Sequence, residues 1–251
     1  MNITFVGGGN MASSLIGGLL QQNYPAAQIR VVEINRETRD RIELQFGVIT
    51  VTELEKGVIG CDVIVLAVKP QQLFALAEQL ASLLVDQLVI SIAAGIRAPD
   101  LSRWLGGYGS IVRAMPNTPS LIRAGVTGLY ALPAVTIQQK EDAASILNAV
   151  GAVLWVEQEM LLDAVTAISG SGPAYVFYFI EAMQQAGVEL GLSMEQAKQL
   201  TLQTFLGATQ LASQSEEDVM LLRSRVTSKG GVTEQALQSM EQDRIKNAIV
   251  R

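Results

Sequence analysis

The hydrophobic positions of this chain follow two rhythms. As far as Glu157, short apolar runs rich in Ile and Val recur: NITFVG, QIRVVEI, DVIVLAV, QLVISIAAG, SIVRAMPNTP, GVTGLYAL and GAVLWVE. Between them stand stretches such as MASSLIGGLLQQ and QQLFALAEQLASLL, with apolar residues at three- and four-residue spacing. Unbroken apolar runs predict strands of a parallel sheet buried on both faces, and the wider spacing predicts amphipathic helices. Their alternation predicts a doubly wound α/β domain. After Glu157 the strand rhythm stops. Helical periodicity runs through MLLDAVTAI, PAYVFYFIEAMQQAGVELG, SMEQAKQLTLQTFLGATQLA, a shorter DVMLLRSRV and the terminal TEQALQSMEQDRIKNAIV. The expected organisation is an α/β domain over 1–157 and an all-helical domain over 158–251, with no long linker.

Composition narrows the function classes. Of 251 residues, 49% are hydrophobic and 17% charged, which fits a globular chain with a sizeable core. The net charge of −6 and the lack of a basic stripe argue against nucleic acid as a partner. No apolar run approaches the ~18 residues of a membrane-spanning helix, and no positive segment marks a signal peptide, so a cytoplasmic setting is expected. The single cysteine, Cys61, precedes a buried-looking strand and reads as a small core residue rather than a reactive thiol. No His/Cys/carboxylate cluster has metal-ligand spacing, so no metal site is expected.

The first strand ends in VGGGNMA. Gly7, Gly9 and Ala12 fit the G-x-G-x-x-G/A dinucleotide fingerprint: a tight turn, a close approach of backbone to pyrophosphate, and close packing of helix on strand. Gly8, Asn10 and Met11 complete the loop and the helix start, whose free N–H groups and dipole suit phosphates. Glu33, closing the second strand, would accept bonds from a ribose and favour NAD. Asn35 and Arg36 follow, and Arg36 could pair with a 2′-phosphate and favour NADP. Arg36 could equally serve only as a solvated residue of the next helix.

Three further motifs stand where strands or helices end. AVKPQ places Ala67, Val68, Lys69 and Pro70 on the cofactor side of the sheet; RAMPNTPS carries Met115, Pro116 and Asn117; ISGSGPAYVFYF joins two helices. There Gly170 is expected to end one helix in a left-handed conformation, with Ser171 capping the next and Pro173 in its first turn. Together with VGGGNMA and VTSKGGVTEQAL, these stretches resemble the motif set of the pyrroline-5-carboxylate reductases, in order and spacing over essentially the whole chain. The resemblance implies NADPH-dependent reduction of a cyclic imine, 1-pyrroline-5-carboxylate, to L-proline, with NADH as an alternative cofactor. It implies an N-terminal Rossmann domain and a helical C-terminal domain forming intertwined homodimers, with assembly beyond the dimer left open. It also places Ala93, after the fourth apolar run, Lys69 and the Met115–Asn117 segment along the cofactor.

The same resemblance assigns the substrate's carboxylate to TSKGGVT, where Gly230 and Gly231 present backbone N–H groups and Ser228 and Thr233 present hydroxyls. On the pattern alone this stretch is an ordinary helix cap. Thr233 is the candidate catalytic hydroxyl, bonding the imine nitrogen or relaying its proton. A protonated imine is already an electrophile, so a chain without histidine can work largely by alignment. The chain departs from the family pattern at Lys229, where proline is usual, at Val232, where a small or hydroxyl residue is usual, and at Ser224, where aspartate is common. The nearest enzyme alternative is a β-hydroxyacid dehydrogenase, but the helix from Pro173 lacks that class's lysine. A non-catalytic dinucleotide sensor is the alternative from another class, and it would need no second anion cradle. The helix 173–190 is apolar nearly all round and must be buried, either in a dimer core or at the centre of a monomeric bundle.

Overall fold

The computed structural model describes residues 1–251. Eight strands form one sheet: β1 (Ile3–Val6), β2 (Ile29–Val32), β3 (Ile49–Val51), β4 (Val63–Leu66), β5 (Leu88–Ser91), β6 (Ile111–Met115), β7 (Gly125–Ala131) and β8 (Gly151–Trp155), in the order β3-β2-β1-β4-β5-β6-β7-β8. Six of the seven pairings are parallel; β7 runs antiparallel to β6. The purely parallel expectation is corrected there. Pro116–Ala124, which joins β6 to β7, is shorter than the dozen or so residues of a parallel crossover. A second correction is β3, absent from the sequence reading. It is a three-residue edge strand with no buried position, so it lacks the apolar run that marks its neighbours.

The period of two along the strands builds two cores. Ile3, Phe5, Val63, Val65, Leu88 and Ile90 face one side, against Leu15, Ile16 and Leu19 of α1 (Asn10–Gln21) and Ile42 of α2 (Arg36–Phe46). Val6, Ile64, Leu66 and Val89 face the other. They meet Leu54 and Val58 of α3 (Leu54–Val58), Leu73, Ala77 and Leu80 of α4 (Pro70–Ala81), and Leu101 of α5 (Ala98–Trp104). Helix α6 (Ile137–Asn148) joins the α1 side through Ala143, Ile146 and Leu147. Cys61 is buried as expected of a core residue. Its Sγ lies 3.1 Å from the Val58 carbonyl, and burial pushes the thiol up.

The remaining helices are α7 (Leu161–Val165), α8 (Gly172–Glu189), α9 (Met194–Gln214), α10 (Val219–Arg225), α11 (Val232–Gln242) and α12 (Ile245–Val250). The chain divides into two compact units, Met1–Tyr175 and Val176–Arg251. Gly170 does not terminate a helix in a left-handed conformation. It closes a π turn, Thr166–Gly170, in which the Ser171 N–H reaches back five residues to the Thr166 carbonyl at 2.8 Å. The terminal helical stretch, read as continuous, breaks at Arg244, which is left-handed with φ 55°.

Within the second unit only Ala197 and Thr201 are buried. Phe177 and Tyr178 are 64% and 71% exposed, so the all-round apolar character of α8 is real and its burial is not supplied within the chain. No helix is long and apolar enough to cross a membrane.

Gly18 is a sensitive position of the first unit. A Cβ there would lie 2.3 Å from the backbone oxygen of Ala149. Helix propensity alone favours alanine over glycine by ~1 kcal/mol. The close packing reverses the sign, because backbone must move: Gly18→Ala is expected to lower stability by about 1–3 kcal/mol. Urea unfolding checks this, and a raised midpoint would contradict the close approach.

Candidate functional site

Strands β1 and β4 are neighbours, and their outgoing connections lead to helices on opposite faces of the sheet. The crevice beyond their carboxyl ends is the switch point where open α/β sheets take ligands. Gly7–Gly9 form one wall. Gly7 is left-handed, φ 101°, and an added Cβ would lie 2.7 Å from the Ala67 oxygen and 3.1 Å from Val68, which form the other wall. Gly9 precedes α1 with no side-chain cap, so the N–H groups of Asn10, Met11 and Ala12 are left for a ligand. A Cβ on Gly9 would meet nothing within 4 Å, so that side of the turn is open. Ala12 is fully buried, as the packing role of the fingerprint requires. These features fit a pyrophosphate.

At the end of β2, both oxygens of Glu33 are engaged: one accepts from Gly8 N at 2.8 Å and the other from Asn35 N at 2.8 Å. The carboxylate therefore braces the glycine turn from the end of β2. Asn35 caps α2, its side chain accepting from Thr38 N at 2.9 Å. Arg36 lies at the surface, 3.6 Å from Asp40, with both side chains largely exposed. Such a pair is weak and easily exchanged for another anion.

Lys69 is exposed and immediately precedes α4, with Pro70 at its first position. Ala93 is buried just beyond β5, its N–H directed to Ser91 Oγ at 3.4 Å. Met115 ends β6, and Pro116 and Asn117 follow it. Asn117 is buried; its Nδ2 donates to the Ser169 carbonyl at 3.1 Å and its Oδ1 accepts from Val126 N at 2.9 Å. It latches the end of β6 to β7 and to the π turn. Gly170 of that turn sits against Met115, since a Cβ there would lie 2.7 Å from Met115 Cε. The sequence reading missed a second brace. Arg113 and Glu159 form a buried ion pair at 3.0 Å, and the same Glu159 oxygen accepts from Ala98 N at 2.6 Å. The available signal was a lone arginine inside the apolar strand SIVRAM.

Ser228, Gly230, Gly231 and Thr233 belong to the second unit, at the start of α11. Gly230 is left-handed, φ 75°, and Gly231 precedes the helix without a side-chain cap. The Gly230 N–H donates to the Glu234 carboxylate at 2.7 Å, and the Gly231 N–H to the Ser228 carbonyl at 3.0 Å. The two glycine N–H groups are thus already used. The unpaired donors are those of the first helical turn, Val232 to Glu234. Thr233 stands exposed in that turn. No three His, Cys, Asp or Glu residues lie together in a metal-binding group.

Two family models match. Residues 159–251 match pyrroline-5-carboxylate reductase dimerisation, and residues 2–95 match NADP oxidoreductase, coenzyme F420-dependent. The chain is 50% identical over 240 residues to a pyrroline-5-carboxylate reductase of Pseudomonas aeruginosa, covering 95% of this chain and 88% of that protein. A solved pyrroline-5-carboxylate reductase from Coxiella burnetii superposes with a TM-score of 0.94 at 44% identity, covering 99% of this chain and 93% of that one. A Plasmodium falciparum pyrroline carboxylate reductase solved with NADP bound gives 0.88 at 31% identity, covering 100% and 93%.

The open face of Gly9 yields a separable prediction. Gly9→Ala should leave unfolding stability within about 0.5 kcal/mol, since the methyl meets no protein atom and φ is −69°. Dinucleotide affinity should fall by roughly tenfold, about 1.4 kcal/mol, because the methyl enters the pyrophosphate's path. Nucleotide fluorescence titration beside urea unfolding reads both; unchanged affinity would remove the turn from the binding site.

Proposed function

We infer the reaction from kinship: the chain belongs to the pyrroline-5-carboxylate reductase family. It is an NAD(P)H-dependent oxidoreductase that reduces the cyclic imine 1-pyrroline-5-carboxylate to L-proline, the last step of proline synthesis. The geometry that supports this reading best is that two helices of one chain start from a glycine, which has no side chain to cap them: α1 from Gly9 and α11 from Gly231. The first suits a pyrophosphate and the second a carboxylate.

The bound nicotinamide cofactor supplies a hydride. In our reading Gly7–Ala12 hold its pyrophosphate, Glu33 and Asn35 frame its adenosine ribose, and Arg36 leaves Asp40 to meet a 2′-phosphate, which favours NADPH. Ala67, Val68, Lys69, Pro70, Ala93, Met115 and Pro116 line the path toward the nicotinamide, with Asn117 fixing the last of these. The imine's carboxylate is received at Ser228–Thr233. Glu234 supports this assignment, because its own carboxylate already rests on the Gly230 N–H. The free N–H groups of Val232 to Glu234 add the helix dipole. Thr233 holds the imine nitrogen and its proton by a hydroxyl bond, so that alignment does much of the work.

We further propose that the functional division lies at 157/158, that the helical half forms a homodimer, and that the enzyme works in the cytoplasm. The apolar faces of α8 and α9 support the dimer. Sedimentation at micromolar concentration should show no monomer; a compact, active monomer would refute the dimer.

Thr233→Val tests the catalytic assignment. It keeps the size and removes the hydroxyl. NADPH oxidation on adding the imine should slow by ~10-fold for each 1.4 kcal/mol of transition-state bonding lost, with the loss in kcat. A loss confined to KM would make Thr233 a binding residue only. Wild-type kinetics would leave it a helix-start residue.

A further inference from the structure

We propose that the first unit carries a second ligand site, for a phosphate-bearing small anion, in the cleft between α1, the end of α2 and the 3-10 turn Thr118–Ile122. The cleft has a volume of about 320 Å³ and reaches from Asn10 to Gln21, the two ends of α1. It begins at the first turn, beside the cofactor crevice, and extends along the helix to its far end.

Charge is the first argument. The only charged residues lining the cleft are Arg41 and Arg123, with no carboxylate beside them, in a chain whose net charge is −6. The ion pairs of the protein use other residues, so both guanidinium groups lack an anionic partner. Arg41 makes one long bond, from Nη2 to the Gly8 carbonyl at 3.2 Å. Arginine's planar fork suits phosphate oxygens better than any other cation of the chain. The second argument is the polar wall that α1 offers: Asn10, Ser13, Ser14 and Gln21 line the cleft beside the two arginines.

Shape is the third argument. Arg123 ends the 3-10 turn as its left-handed C-cap, φ 59°, and lines the cleft from there. Gly17 on the α1 wall lets the Phe46 ring pack close to the helix, since a Cβ there would lie 3.3 Å from the ring. Phe46 and Leu121 offer apolar contact for the rest of a ligand.

The test is calorimetric titration of the full chain with inorganic phosphate, at ionic strength held constant with chloride, in the presence and absence of saturating NADH. Saturable binding is expected in both conditions. Arg41→Ala and Arg123→Asn should each weaken it tenfold or more while the urea-unfolding midpoint, which reports folding, is unchanged, and Arg123→Asn should also keep NADH affinity; asparagine is chosen because it tolerates the left-handed backbone. Arg123→Lys should retain binding within a few-fold. Absence of saturation, or equal binding by the two charge-removing variants, overturns the site. If NADPH competes with phosphate where NADH does not, the anion is the cofactor's own 2′-phosphate and the second site is refuted. Because the readout is binding, the outcome is independent of whether the imine is the substrate.

Discussion

A helical unit that buries only Ala197 and Thr201 cannot be held together by its own core. That shortage governs the molecule. The first unit closes two apolar layers on its sheet and satisfies the ordinary requirement of a domain of its size. The second presents Phe177, Tyr178, Leu200 and Leu206 to solvent as a single chain. Apolar area of that extent is worth ~25 cal/mol per Å² once removed from water, and homo-oligomerisation is the route open to it. The turn at Gly230–Thr233 sits on that unit, so the integrity of the proposed substrate cradle is tied to association.

The three glycines after β1 are not interchangeable. Gly7 answers to its φ and to the Ala67 carbonyl. Gly8 answers to Ile42, whose Cδ1 an added Cβ would approach to 2.4 Å, and to Glu33, which takes its N–H. Gly9 answers to nothing within the protein. One short motif therefore mixes a folding requirement with a ligand requirement. Glu33 adds to the folding side, because its carboxylate fixes the turn through the Gly8 N–H.

Much of this was legible in the residues. Long apolar runs named seven strands correctly because burial on both faces leaves no polar interruption. The edge strand β3 was illegible for the converse reason. The reversed direction of β7 could have been read from the short Pro116–Ala124 connection, but an apolar run carries no arrow. The ISGSGP segment misled because Gly and Ser serve equally as a helix stop and as small residues packed in a continuous turn. The close approach of Met115 to Gly170 in that turn is invisible in sequence. The strand-end motifs stood out as short local patterns, whereas the braces Arg113–Glu159 and Asn117–Ser169 join residues far apart along the chain. The Glu234 bond to Gly230 was within reach, since an acid three residues after the helix cap is a familiar capping residue, here reaching one residue further back than the cap Gly231.

The burial of Cys61 has a consequence for how the protein behaves as an electrolyte. Histidine is the side chain that ordinarily gains and loses charge across neutrality, and the chain has none. Its one thiol, which might have taken over that part of the scale, is displaced upward chiefly by desolvation. Tyr24 and Tyr108 are displaced in the same direction, also chiefly by desolvation. Neither an imidazole nor the Cys61 thiol can therefore serve the enzyme as a charge switch near neutral pH.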